Sequence, residues 1–113
     1  MATQARFGPN SRSLSVEFDS TDVPGSVLIG RLPLDVFCQS CVVEIDVAFD
    51  GGTSITVGDI AAHGRLQAVA DNDPSITGDY EVLVNYAYSS GTDLYVFLTG
   101  TAAVGHGRVI VYM

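Results

Sequence analysis

Along this chain, apolar residues recur at every second position in short runs, and turn residues separate the runs. Leu14, Val16 and Phe18 alternate with Ser13, Ser15 and Glu17, the period of a strand with one buried face. Asp22-Val23-Pro24-Gly25 is turn chemistry. The unbroken apolar run Val27-Leu28-Ile29 predicts a strand buried on both sides, with Pro33 marking a break or an edge after it. The clearest strand is Val42–Phe49. Its pattern places Val43, Ile45, Val47 and Phe49 on one face, and Glu44, Asp46 and Ala48 on the other. Asp50-Gly51-Gly52 follows as a tight-turn signal, and Ile55 and Val57, alternating with Ser54 and Thr56, read as the hairpin partner.

Regularity lapses after Gly58-Asp59. Ile60-Ala61-Ala62 begins like a helical turn that Gly64 cuts short, Leu66–Val69 has the composition of a short strand, and Asp71-Asn72-Asp73-Pro74 is a loop. Three strands then follow. Val82, Val84, Tyr86 and Tyr88 alternate with Glu81, Leu83, Asn85 and Ala87; Leu94–Leu98 is apolar on both sides; Val109, Val111 and Met113 oppose Arg108, Ile110 and Tyr112. The pattern predicts an all-β chain: a β-sandwich, jelly-roll-like or immunoglobulin-like, of seven to eight short antiparallel strands over residues 13–113, preceded by an extended N-terminal arm over residues 1–12. The absence of Trp, and of a cysteine pair spaced to join two sheets, disfavours an immunoglobulin domain.

The 113 residues correspond to one domain, and at 47% hydrophobic content the chain can build a core. No apolar run approaches the ~18 residues of a membrane helix, and no apolar stretch follows Met1–Arg6 as in a signal peptide. Charge narrows the partners. There are 13 acids against 5 bases, all arginine, for a net −8. Such a body repels nucleic-acid phosphates and anionic lipid, so neither nucleic acid nor membrane is the expected partner. The imbalance is uneven: residues 1–12 hold Arg6 and Arg12 and no acid, while residues 13–113 hold every acid and three arginines, for a net −10. The mildly basic arm is either a frayed end or a tether in which Arg6 and Arg12 meet acidic groups of a partner, with Phe7 and Pro9 supplying apolar contact.

No set of residues composes a catalytic centre, and neither an enzyme activity nor a cofactor is expected. Cys38 and Cys41 form Cys-x-x-Cys in β-type flanks rather than at a helix start, and in a regular strand they point to opposite faces, so free, buried or half-buried thiols are expected. His63 and His106 each stand alone among Gly and Ala, without the further ligands of a zinc site. No Gly-x-Ser-x-Gly elbow and no phosphate loop occurs. Glu44 and Asp46 share a strand face, which predicts a solvated face rather than a glycosidase pair. Asp71-Asn72-Asp73 opens like a calcium loop but has Ile76 and Val82 where such a loop needs Gly and Glu. Asp71, Asp73, Asp79 and Glu81 are therefore read first as turn and surface residues, with calcium as the alternative. Tyr86, Tyr88, Tyr95 and Phe97 form a surplus of aromatic strand positions that suits protein–protein contact.

Four segments carry a resemblance: Val43-Glu44-Ile45-Asp46-Val47-Ala48-Phe49-Asp50-Gly51-Gly52, Ile55-Thr56-Val57-Gly58-Asp59, Thr77-Gly78-Asp79-Tyr80-Glu81-Val82 and Gly107-Arg108-Val109-Ile110-Val111-Tyr112. Together they resemble a domain of tailed-phage structural proteins, spread over about two-thirds of the chain. The resemblance implies a virion component and, for a chain of this size, a head decoration (cement) protein of jelly-roll type. Such a protein sits on the capsid exterior, binds the major capsid protein and bridges capsomers. A homo-oligomer, dimer or trimer, is expected. The alternatives are a neck or tail-attached virion protein and a small calcium-dependent carbohydrate-binding module.

Overall fold

A computed structural model describes residues 12–113. Among the described residues seven strands form: β1 (Ser13–Asp19), β2 (Gly25–Leu32), β3 (Val36–Val47), β4 (Ser54–Gly58), β5 (Gly78–Tyr88), β6 (Thr92–Thr99) and β7 (His106–Tyr112). They build two antiparallel sheets, ordered β1-β7-β3-β5 and β2-β6-β4. The connectivity is nested: β1 pairs with β7, β2 with β6 and β3 with β5. This is the rolled hairpin of a jelly roll, with β4 left as the innermost strand.

In an eight-stranded roll, β4 would pair with the strand that follows it. Here that partner is reduced to one bridge, between Val57 and Gln67. The expected strand over Leu66–Val69 is thus a single bridging residue followed by a 3-10 turn at Val69–Asp71. Side chains do the remaining work of the missing strand. The buried Gln67 amide donates to the carbonyls of Cys41 (3.2 Å) and Tyr80 (3.1 Å), and Asn72 donates to Ile55 O (3.1 Å) and Gln67 Oε1 (2.8 Å). On β4 itself, Ile55 O is satisfied by Asn72 and Val57 by the backbone of Leu66 and Gln67, while the Gln67 amide ties this stretch to β3 and β5.

The inner faces interdigitate as the period-2 pattern predicts. Val43, Ile55, Val57, Leu94, Val96, Val109 and Val111 are fully buried, and each such side chain contributes roughly 1.5–3 kcal/mol through its removal from water.

Three details depart from the sequence pattern, and each has a local cause. A bulge between Cys38 and Ser40 resets the alternation, so Cys38 and Cys41 both point inward, free and buried. Burial pushes the Cys38 thiol up to about 11 and Cys41 up to about 12, which leaves both unreactive in the folded chain. A second bulge between Ile45 and Val47 turns Val47 out to 47% exposure. Phe49, beyond the strand, re-enters the core and stacks on Phe18 with ring centroids 5.8 Å apart. Finally, β4 is not the hairpin partner of β3. The Asp50-Gly51-Gly52 turn carries the chain across to the other sheet, where β4 pairs with β6. Alternation identifies a strand but does not name its neighbour.

Candidate functional site

At the end of β4 the chain leaves the sheet at Gly58, where a side chain would collide with Ala62 O and His63. The 59–65 loop therefore folds tightly over this glycine and carries Asp59 inward to 4% exposure. The Asp59 carboxylate accepts from Ala62 N (2.8 Å), Arg65 Nε (2.7 Å) and the Tyr88 hydroxyl (2.7 Å). Arg65 also donates to the Tyr86 hydroxyl at 3.1 Å, its guanidinium 4.8 Å from the Tyr86 ring centre. Tyr86 and Tyr88 meet edge to face, 4.8 Å apart. Burial alone would raise the Asp59 pKa, but the donors from Arg65, Tyr88 and Ala62 outweigh it and hold it below the usual carboxylate range. Burial and the neighbouring Asp59 push the Tyr88 hydroxyl far up. The group lines a depression of about 360 Å³ together with Ile60, the 89–92 turn, Tyr95 and the exposed Arg31–Asp93 ion pair. Because Asp59 is already occupied by three donors, the network fixes the loop where an eighth strand would lie.

The outer face of the β1-β7-β3-β5 sheet is charged at one end, while Phe37 and Leu83 stand exposed toward the other. Glu17, Arg108, Glu44 and Asp79 form one cross-strand row. Arg108 donates to Glu44 from Nε and Nη2 at 3.0 and 2.8 Å. Beside this row, His106 Nδ1 lies 2.6 Å from Asp46 and Nε2 lies 3.0 Å from Glu17. A ring that faces a carboxylate at each nitrogen donates from both as the imidazolium. The Asp46 contact foremost, and Glu17 with it, raises the His106 pKa. Glu44 and Asp46 do share the solvated face that the alternation predicts.

The outer face of the β2-β6-β4 sheet is aromatic. Tyr95 and Phe97 project outward from β6, with ring centroids 5.7 Å apart, and Leu28 on β2 stands opposite Tyr95. The His63 ring stacks parallel on Phe97 at 3.7 Å. The four aromatic positions singled out in the sequence therefore do not form one surface. Tyr95 and Phe97 lie on this face. Tyr86 and Tyr88 point inward from β5, and Tyr88 is buried with its hydroxyl committed to Asp59, so it offers no partner a contact. Of the arm positions, Arg6, Phe7 and Pro9 lie outside the described residues; Arg12 is exposed, and its carbonyl accepts from Met113 N at 2.9 Å. Asp71 and Asp73 cap local turns through Ala68 N and Ser75 N, and among the described residues no three His, Cys, Asp or Glu side chains converge as a metal-binding group. Arg65 and Gln67 belong to no motif, Asp59 stands only at the end of the Ile55–Asp59 segment, Leu28 only in an apolar run, and His63 only as a lone histidine. The available signal was a lone Arg and a lone Gln inside the least regular stretch of the chain.

No protein family matches the chain by sequence, and no curated protein does. Solved structures do match. A chain in the capsid asymmetric unit of cyanophage Pam1 aligns with a TM-score of 0.66 at 16% identity, over 99% of this chain and 89% of that one. A chain in the acid-stable capsid of Helicobacter pylori bacteriophage KHP30 aligns with a TM-score of 0.73 at 15% identity, over 90% of this chain and 85% of that one. At these identities the likeness establishes the fold, a β-sandwich of the jelly-roll kind found in phage capsids.

Proposed function

We propose that this chain is a structural component of a phage virion, which binds the outside of the capsid lattice and stabilises it by bridging neighbouring capsomers. The observation that carries this reading is the end-to-end fold match with chains of two phage capsids. The match spans most of the neighbours' length as well, so the likeness is to small whole chains rather than to a fragment of a large one. The resemblance of the Val43–Gly52 and Gly107–Tyr112 segments to tailed-phage structural proteins points the same way.

The physical basis is mass action. A protein that binds the assembled lattice and not the free subunit lowers the free energy of the lattice alone. A rigid sandwich suits that task, because little conformational entropy is lost when its surface docks. Asp59 and His106, the groups with the most elaborate polar surroundings, are held by partners within the domain itself, as befits a scaffold. In this reading residues 1–12 assist attachment, with Arg6 and Arg12 on acidic groups of the major capsid protein and Phe7 and Pro9 in apolar contact.

The test is co-sedimentation of the purified chain with undecorated capsids, followed by a density map of the complex. Saturable binding, density between capsomers on the outer surface and a raised capsid melting temperature are expected. Failure to bind capsids, or density confined to the neck or tail, overturns the decoration role. Deletion of residues 1–11 is expected to weaken binding, most strongly at low salt, while the sandwich stays folded.

A further inference from the structure

The outer faces of the two sheets differ in how much charge they carry. The four-stranded sheet gathers carboxylates at one end, with Phe37 (48% exposed) and Leu83 (76% exposed) turned outward at the other, while the three-stranded sheet carries a single ion pair among the described residues. A half-solvated antiparallel sheet normally alternates apolar-in with polar-out, and the four-stranded sheet follows that rule across its Glu17, Arg108, Glu44, Asp79 row. The three-stranded sheet breaks it. Leu28, Tyr95 and Phe97 all project outward, Leu28 at 52% exposure, and Ile60 in the adjoining loop is 69% exposed. Gly58 stands beside Tyr95 in the register and adds no side chain to cover it. His63 covers part of Phe97 by stacking, which leaves the exposed Leu28 beside the half-buried Tyr95 at the centre, with Ser26 and Thr56 flanking Phe97 in the same row.

We propose that this face is a homotypic interface, on which a second copy of the chain packs Leu28, Tyr95 and Phe97 against the same residues about a two-fold axis. Charge selects the occupant. Residues 13–113 carry a net −10, so two copies repel unless they meet where acid is scarce. Among the described residues, one end of the outer face of the four-stranded sheet sets Glu17, Asp19, Glu44, Asp46, Asp79 and Glu81 against His106 and Arg108, and a two-fold stack over that end would bring carboxylate onto carboxylate. On the three-stranded face the charges are Arg31 and Asp93, paired with each other at 2.9 Å at one end of the aromatic row. An isologous contact needs a self-complementary patch, and an apolar centre flanked by a neutral ion pair meets that condition. Aromatic residues at the middle and Arg at the rim also match the composition of tight protein contacts. The inference is independent of the capsid reading.

The experiment is sedimentation equilibrium of the full chain, from low to high micromolar concentration, at neutral pH. A monomer–dimer equilibrium is expected. Leu28→Glu, which places like charges opposite one another at the centre, is expected to weaken it roughly tenfold or more. Ser26→Glu, at an exposed position of the same face, is a second probe that disturbs no core packing. Leu83→Glu on the opposite sheet, where Leu83 is 76% exposed, is expected to leave the dimer unchanged. Circular dichroism of each variant checks the fold. A monomer at every concentration overturns the proposal, as does a dimer indifferent to both Leu28→Glu and Ser26→Glu or one lost in Leu83→Glu. A chain that stays monomeric yet loses capsid binding in Leu28→Glu would show that this face meets the shell instead, and would equally overturn it.

Discussion

Two polar networks of similar composition sit in different solvents, and that difference decides what each does. Around Asp59 a carboxylate, a guanidinium and two tyrosines are drawn into the end of the sandwich, and the carboxylate is almost wholly out of water. Around His106 an imidazole ring, a guanidinium and three carboxylates lie on an open sheet face, with the Glu17 and Asp46 side chains 68% and 66% exposed. The first network is costly to form, because its charges give up hydration, and still more costly to break, because the remaining partner is stranded in a poor solvent. The second loses little hydration on forming and strands nothing when it is cut, since water replaces the lost partner. The buried network therefore fixes the shape of the chain where a strand is missing, and the exposed one sets a charge pattern on strands already paired through their backbones.

The sharpest way to break this contrast is Asp59→Ala. It leaves the Tyr88 hydroxyl and the Arg65 guanidinium without their acceptor and frees the loop that covers Gly58. A loss of about 3–5 kcal/mol is expected, the range for one partner removed from a buried pair, read from urea denaturation at neutral pH. A loss comparable to that of an exposed pair would mean that water reaches Asp59 and that the contrast is misdrawn. The sign of its pH dependence also follows. Asp59 has a folded pKa below its unfolded one, so it contributes stability above the ordinary carboxylate value, and that contribution disappears as the pH falls through the folded value. Asp59→Asn is expected to flatten this part of the acid unfolding curve.

Gln67→Ala comes next. It removes the amide that spans from the β4 edge to the carbonyls of Cys41 and Tyr80, and leaves those acceptors and Asn72 underused. A loss of about 1–3 kcal/mol is expected, the cost of buried polar groups left unpaired, with faster amide exchange at Val57 as the local signature. Unchanged exchange at Val57 would show that the backbone bridge alone seals the edge. Replacement of Cys38 and Cys41 by Ser is expected to cost somewhat less, roughly 1–2 kcal/mol in total, because both sites are fully buried and a hydroxyl there must find a partner.

These sites also mark how far the sequence could be read. Period-2 alternation marks β1, β4, β5, β7 and the second half of β3, because a sheet with one buried face writes its geometry directly into the chain. By contrast, β2 and β6 show only as apolar runs, and the run Val27-Leu28-Ile29, expected to be buried on both sides, turns Leu28 out to 52% exposure. What alternation lacks is any record of pairing: Ile55 and Val57 read the same whether β4 joins β3 or β6. Bulges are equally silent. The inward turn of both Cys38 and Cys41 depends on one extra residue near Gln39, and no residue type there announces it. The Asp59 network was illegible for a different reason. Its members come from the end of β4, an irregular loop and the end of β5, and only the nested pairing of strands brings Asp59 to Tyr88. The aromatic face was half legible. Tyr95 and Phe97 stood out as surplus to a core, but Tyr86 and Tyr88 carried the same signal and are spent on the interior.

The smallest effect belongs to the exposed network, and pH reveals it. His106 lies between Glu17 and Asp46, with Asp19 paired opposite it on β1 and Glu44 and Arg108 in the adjoining row. Four carboxylates and one guanidinium leave a net negative field, which together with the two direct hydrogen bonds raises the folded pKa of the ring above its ordinary value. Linkage then fixes the direction. A group whose folded pKa exceeds its unfolded one adds stability that is fully present below the unfolded value, near about 6.5 for histidine, and that is lost as the pH rises through the folded value. His106→Gln keeps a hydrogen-bonding side chain but cannot take up the proton. Its melting temperature is expected to fall below that of the parent chain by more at about pH 5.5 than at about pH 9, with both gaps far smaller than that of Asp59→Ala. Added salt should narrow the acidic gap, because exposed charges are screened, and should leave the Asp59→Ala deficit nearly unchanged. A gap that is flat with pH, or wider on the alkaline side, would mean that the ring is held as a neutral acceptor. It would then be a spacer between β1 and β3 rather than a proton-dependent clasp across them.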